Sequence, residues 1–165
     1  MPKSNYTAVL LPPDLAAHVL SFPIDPKHLI EREDSPHCTL KFGLQGDHAD
    51  TKEALKNELP AKFRIGATSL FENPDADVLK LDVTSTDLHR LHRKLNRLPH
   101  EDSHPEYKPH VTIAMLRPGT GRYYSGKTVR RLTGRTAIAR SVMFAGKDGK
   151  KTTIPLKPKG EGEPS

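Results

Sequence analysis

The feature that most limits what this chain can fold into is its likeness to itself. "SPHCTLKFG" at 35–43 and "KPHVTIAML" at 108–116 both set Pro-His-x-Thr inside a strand-like run. Shifting the chain by 73 residues, the separation of His37 from His110, lays Asp14-Leu15 on Asp87-Leu88, Thr39 on Thr112, Ile65 on Ile138 and Phe71 on Phe144. Predicted elements repeat in the same order. A strand over 6–11 leads to a helix starting at Pro13 and Asp14, a Pro- and charge-rich loop over 23–36, a strand over 37–44 and a helix over about 50–59. Strands over 62–71 and 77–84 flank the turn "ENPDA". Next come a helix within 84–98, with Leu88, Leu91, Leu95 and Leu98 at helical spacing, and a strand over 110–116. A short helix near 125–133 and strands over 136–145 and 151–156 close the series. We read this as an internal duplication: one α+β domain over 1–158, bilobal, with two mostly antiparallel sheets and flanking helices. Residues 159–165 are expected to form a flexible polar tail.

Strand alternation assigns faces. In the first motif His37, Thr39, Lys41 and Gly43 share one face, and Cys38, Leu40, Phe42 and Leu44 the core face. In the second, His110, Thr112 and Ala114 oppose Val111, Ile113 and Met115. Each histidine thus points away from its own core, and Cys38 points inward, a poor place for a nucleophile. If an approximate twofold relates the lobes, two imidazoles and two hydroxyls line one cleft. Imidazoles titrate near neutrality, so one can take a proton from an attacking hydroxyl or water while the other gives one to a leaving oxygen. Threonine hydroxyls can hold non-bridging phosphate oxygens. One such histidine is commonly a structural residue; two at matched places in a repeat favour an acid–base pair over that reading.

At this point "PHCTLKFG" and "PHVTIAML" resemble the paired His-x-Thr motifs of the 2H phosphoesterase superfamily, which includes RNA-ligase-like cyclic phosphodiesterases. The resemblance covers most of residues 6–156. It implies a bilobal fold around a central cleft and metal-independent cleavage of 2',3'-cyclic phosphates, RNA-like linkages or cyclic oligonucleotides, with no cofactor. His37 and His110 are then the catalytic pair, and Thr39 and Thr112 the phosphate donors. "EREDSPHCTLKFGL" is also similar to the first motif region of phage-encoded members, some of which destroy the cyclic nucleotide signals of bacterial immunity. The partners implied are a nucleotide, a cyclic oligonucleotide or an RNA end. A module that binds the same ligands without cutting them is the alternative.

Tyr6, Lys41, Tyr107 and Arg117 are further substrate-binding candidates: the tyrosines could stack on a base, and the cations could meet phosphate. A net charge of +6 at pH 7 favours anionic partners, and Lys127, Arg130, Arg131, Arg135, Arg140 and the 147–151 region could form a basic patch. Cys38 is the only cysteine, which excludes a disulfide framework and a cysteine-rich metal site. The first apolar run stops at Pro12-Pro13, too short for a signal peptide or membrane span, so a cytoplasmic protein with no membrane partner is expected (host cytoplasm if phage-encoded).

Two signals are discounted. "GRYYSGKT", Gly121 to Thr128, matches the phosphate-loop pattern, but Arg117-Pro118-Gly119 separates it from its strand and Gly134 limits the following helix. His89, His92, His100 and His104 look like a metal cluster, yet arginines flank the first two, which read as a solvated basic helix face.

Overall fold

The computed structural model describes residues 4–101 and 106–157; the expected tail at 159–165, and His104, lie outside them. The strands are β1 Asn5–Leu10, β2 Leu29–Arg32, β3 His37–Leu44, β4 Ala61–Glu72, β5 Asp77–Thr84, β6 His110–Leu116, β7 Thr136–Ala139, β8 Ser141–Ala145 and β9 Lys151–Pro155. The helices are α1 Pro13–Leu20, α2 His48–Ala54 and α3 Thr86–Leu95, with a 3-10 turn at Gly121–Tyr123.

Among the described residues the strands form one antiparallel sheet in the order β7-β4-β5-β6-β3-β1-β8-β9, with β2 also on β6. The 73-residue shift carries β1 onto β5, β3 onto β6, and β4 onto β7 and β8 together. The series β4-β5-β6-β3-β1-β8 therefore reads alike from both ends, with the two motif strands at its centre. Each half is swapped: β4 pairs with β5 of the second copy, and β8 with β1 of the first. The two expected sheets are halves of this one, joined across β3 and β6 by the single pair Cys38–Val111.

Only Arg140 separates β7 from β8, yet they sit six strand spacings apart, roughly 29 Å across a flat sheet. One residue cannot span that distance, so the sheet curls round to bring its ends together, giving a half-barrel.

The concave and helical sides follow from the side chains. Pro13 occupies the first turn of α1, where a missing N–H costs nothing, and Leu15 and Val19 face the sheet. Ser85 caps α3 by accepting from the Leu88 amide at 2.9 Å, and Leu88, Leu91 and Leu95 are fully buried. Asp47 and Asp50 form a reciprocal capping box on α2. These helix faces join Cys38, Leu40, Val111 and Ile113 in one core, each large aliphatic side chain contributing about 1.5–3 kcal/mol.

Three expectations need correction. The predicted loop over 23–36 contains β2, whose residues pair with β6 from Leu29–Leu116 to Arg32–Ala114. The helix near 125–133 does not form: Gly126 and Arg131 take positive φ (73° and 71°), and the Val129 amide donates to the Thr133 hydroxyl instead of a helical carbonyl. The strand over 136–145 breaks at Arg140, where the chain leaves β4 for β1.

Candidate active site

His37 opens β3 and His110 opens β6, the two central strands. With Cys38 opposite Val111 in antiparallel register, His37 stands across from Thr112 and Thr39 across from His110. All four side chains are half-buried, on the side of the sheet away from the helices. Each half of the constellation is thus completed by the other copy's threonine.

The proline of each motif has a definable job. It restricts the residue before it to extended backbone, and that residue's carbonyl accepts from the histidine: His37 Nδ1 lies 2.8 Å from Ser35 O, and His110 Nδ1 lies 2.8 Å from Lys108 O. A carbonyl only accepts, so Nδ1 carries the hydrogen in both rings. Nε2 is then the bare nitrogen of the neutral imidazole, available for proton transfer.

Strict alternation fails one residue after each threonine. Thr7 and Ala8 pair with Lys41 and Thr39, which leaves Leu40 as an extra residue; Leu79 and Lys80 pair with Ala114 and Thr112, which leaves Ile113 extra. Each is a β-bulge, and it inverts the remaining side chains. Phe42 (52% exposed) and Met115 (39%) therefore join the histidine face. Lys41 and Ala114, expected there, are buried instead. Lys41 is 2% exposed, and its ammonium donates to Asn96 Oδ1 at 2.7 Å. The bulge repeats in both copies, so it is a property of the duplicated unit.

The surroundings of the two imidazoles differ. The Phe71 ring meets His110 edge-on at 5.1 Å. Burial chiefly holds the His110 pKa below its ordinary value; the Lys108 carbonyl opposes this, Lys80 and His37 add to the lowering, and Asp82 opposes it. His37 has a carboxylate beside it, Glu33 Oε1 at 4.0 Å from Nδ1. Glu33 is placed by the strand the sequence concealed: its amide donates to Ile113 O just beyond β2.

A cavity of about 390 Å³ opens beside Thr39 and His110, walled by Phe42, Phe71, Tyr107, His92 and Lys108. A smaller hollow of about 170 Å³ lies at Thr112, lined by Glu31, Glu33 and Asp34 together with Arg32, whose guanidinium donates to the Val19, Leu20 and Phe22 carbonyls. The cleft is therefore aromatic on one side and acidic on the other.

The remaining candidates fall as follows. Tyr6 lies on the histidine face, its ring 6.2 Å from His37 and stacked 6.1 Å from Phe42; burial, then Glu33, raises its pKa. Tyr107 is a cavity wall: its hydroxyl donates to Thr39 O at 2.7 Å, and its ring stacks on His92 at 4.2 Å. His92 Nδ1 bonds Leu40 O, and His89 packs edge-on against Tyr107. These helix histidines are therefore half-buried supports for the site wall, not the solvated face expected of them. Arg117 is not brought to the group. It follows β6 at the end remote from His110, exposed, with its amide on His28 O. Burial pushes the Cys38 thiol up to about 12, which keeps it protonated and inert.

Sequence reasoning missed Phe42, Met115, Glu33, Phe71 and the polar group Ser69–Lys80–Asp82. Lys80 and Asp82 were visible as an i, i+2 pair on one face of "DVLKLDVT", but only the pairing of β5 with β6 sets them against Thr112 and His110.

The phosphate-loop pattern forms no phosphate cradle. The Gly126 and Lys127 amides both donate to Thr68, and the Gly121 amide to Asp77. Gly121 is closely packed: a Cβ there would meet the Leu70 methyl at 2.7 Å and Asp77 Oδ2 at 2.9 Å. Among the described residues no three His, Cys, Asp or Glu side chains gather as a metal set, and no helix is long and apolar enough to cross a membrane.

Residues 26–131 match the family model of the 2'-5' RNA ligase superfamily. The Escherichia coli protein LigT, solved with 3'-AMP, is similar in fold (TM-score 0.59, 18% identity, covering 95% of this chain and 97% of that one). So are TT0787 of Thermus thermophilus (0.56, 18%, 92% and 98%) and Kluyveromyces marxianus Usb1 (0.54, 13%, 94% and 100%). No match was found among curated protein sequences.

Proposed function

The chain belongs to the 2'-5' RNA ligase superfamily, and from that premise we propose that it is a phosphodiesterase working by two-histidine acid–base catalysis without a metal. One observation carries this reading. Two imidazoles on adjacent central strands, each with Nδ1 tied to a carbonyl, stand with free Nε2 atoms across from two threonines.

At an RNA-like linkage, one imidazole takes the proton of the ribose 2'-OH as O2' bonds to phosphorus. The bond to the 5' oxygen breaks, and the other imidazolium protonates that oxygen, leaving a 2',3'-cyclic phosphate and a 5'-OH. At a 2',3'-cyclic end, water is the nucleophile and a ribose oxygen departs. Thr39 and Thr112 donate to the non-bridging oxygens, where charge accumulates. Each acid–base group is worth about 10² to 10⁴ in rate.

We take the substrates to be nucleosides bearing such esters: 2',3'-cyclic nucleotides, RNA ends or cyclic oligonucleotides. The aromatic cavity beside His110 supports a base there, since a base stacked on an aromatic ring gains about 1–3 kcal/mol. A role against cyclic nucleotide immune signals rests on the likeness of residues 31–44 to phage-encoded members. Incubation with cyclic mononucleotides, cyclic-phosphate RNA ends and cyclic di- and trinucleotides, with EDTA present and products identified by mass, tests the reading. Bound but uncut ligands across the panel would leave the binding module instead.

A further inference from the structure

The two halves of the site share a backbone and differ in charge. On β5, Lys80 stands cross-strand from Thr112, and Asp82 from His110. Its ammonium lies 2.5 Å from Ser69 Oγ and 2.9 Å from Asp82 Oδ1, and 4.4 Å over the Phe71 ring that touches His110. The corresponding place in the other half, opposite Thr39, is Ala8. Lys80 has a side chain only 8% exposed, whereas Asp82 is 55% exposed, so water screens the carboxylate far more than the ammonium. At the other histidine the neighbour is an anion, Glu33.

We infer that Lys80 is a positioning residue that gives this pseudosymmetric site a direction: held by Ser69 and Asp82 beside Thr112, it keeps His110 as the proton acceptor and leaves His37, next to Glu33, as the proton donor. This rests on the phosphodiesterase reading. A fixed cation disfavours imidazolium at His110, whereas the charge set beside His37 is the anion Glu33, 4.0 Å from Nδ1. The groups facing His110 are Lys80 and Asp82 from β5, His37 from β3, Phe71 from β4, and the Lys108 carbonyl, with Glu106 and Lys108 at the cavity rim. Facing His37 are Glu33, His110 from β6 and, from β1, Tyr6. The lowered pKa of His110, to which Lys80 contributes, agrees with this order.

Direction follows for the substrate. The 2'-OH that His110 deprotonates belongs to the nucleoside seated in the aromatic cavity, and the departing oxygen lies toward His37 and the acidic hollow. That hollow repels further phosphates, so the substrate extends little on the leaving side.

Two measurements test the inference. The first is NMR titration of both imidazoles in the free protein. Lys80→Met should raise the His110 midpoint. Lys80→Arg should restore it, and Asp82→Asn, at an exposed position, should lower it. An unmoved His110 midpoint in both Lys80→Met and Asp82→Asn overturns the inference. The second uses uridine 3'-(4-nitrophenyl phosphate), whose nitrophenolate leaves without a proton. His37→Ala should cleave it within about tenfold of wild type, while His110→Ala should lose about 100-fold or more; the reverse pattern overturns the assigned direction. Wild-type protein that leaves this ester and the nucleotide panel intact overturns the phosphodiesterase reading, and the midpoints still decide whether Lys80 orders the two histidines.

Discussion

His37 and His110 occupy matched places, and the backbone treats them alike. Both follow a proline, both tie Nδ1 to the carbonyl two residues back, and both precede a threonine and a bulge. Their company is unlike. His110 has Phe71 and the Lys80 cluster; His37 has Glu33 and Tyr6. Duplication supplies two like imidazoles, and the proposed acid and base roles call for one protonated and one neutral. The backbone preserves what both proposed roles need, a fixed tautomer with Nε2 left bare. Side chains from β5 and the segment after β2 make them different.

The largest expected effect treats the halves as equals. His37→Ala and His110→Ala should each reduce turnover of the true substrate by about 10² to 10⁴ with unchanged circular dichroism. A histidine whose loss left the rate near normal would break the pairing. Next, Thr39→Val and Thr112→Val should each cost about tenfold to a hundredfold in kcat, the worth of a hydrogen bond to a charged oxygen. If only one did so, the phosphate would be held from one side.

A third change probes a difference in backbone. Gly43 has φ +82°, and a Cβ there would sit 1.8 Å from Glu101 O, whereas Leu116 occupies the matched place after His110. Gly43→Ala should therefore destabilise the protein by about 1–3 kcal/mol or more, read as a lowered urea midpoint, with no parallel at Leu116→Ile.

The smallest effect concerns pH. The His110 pKa is lowered in the fold, so the unfolded chain binds the extra proton first. This group contributes stability above about pH 6.5, its unfolded value, and that contribution is lost as pH falls through the folded value. His110→Gln should flatten that acid-side slope in a denaturation series. In activity, the acid limb of kcat/KM should follow His110 and lie below pH 6.5.

Much of the plan was legible. Strands 37–44 and 110–116 and the Leu88-Leu91-Leu95 helix face are local patterns: alternation, helical period and proline punctuation express nearest-neighbour chemistry. The His-x-Thr pair was legible because duplication wrote it twice. What was hidden shares one cause. A bulge is a mismatch between two strands, so "CTLKF" alone cannot reveal that Phe42 turns out and Lys41 turns in. β2, with its "LIER" pattern, has no alternation of its own and exists because β6 offers an edge. Residues 125–133 read as a short helix, yet positive φ at Gly126 and Arg131 and the Thr133 hydroxyl bend them into turns.

The sequence by itself determined which residues could do chemistry and that they came in two copies, because composition, spacing and repetition are properties of a line. The tertiary structure decided who faces whom. Swapped halves set His37 against Thr112, a curled sheet gathered both motifs at its centre, and strand pairing delivered Lys80 and Asp82 to the second motif and Glu33 to His37. Charge acts through distance in space, and that distance is fixed by strand register.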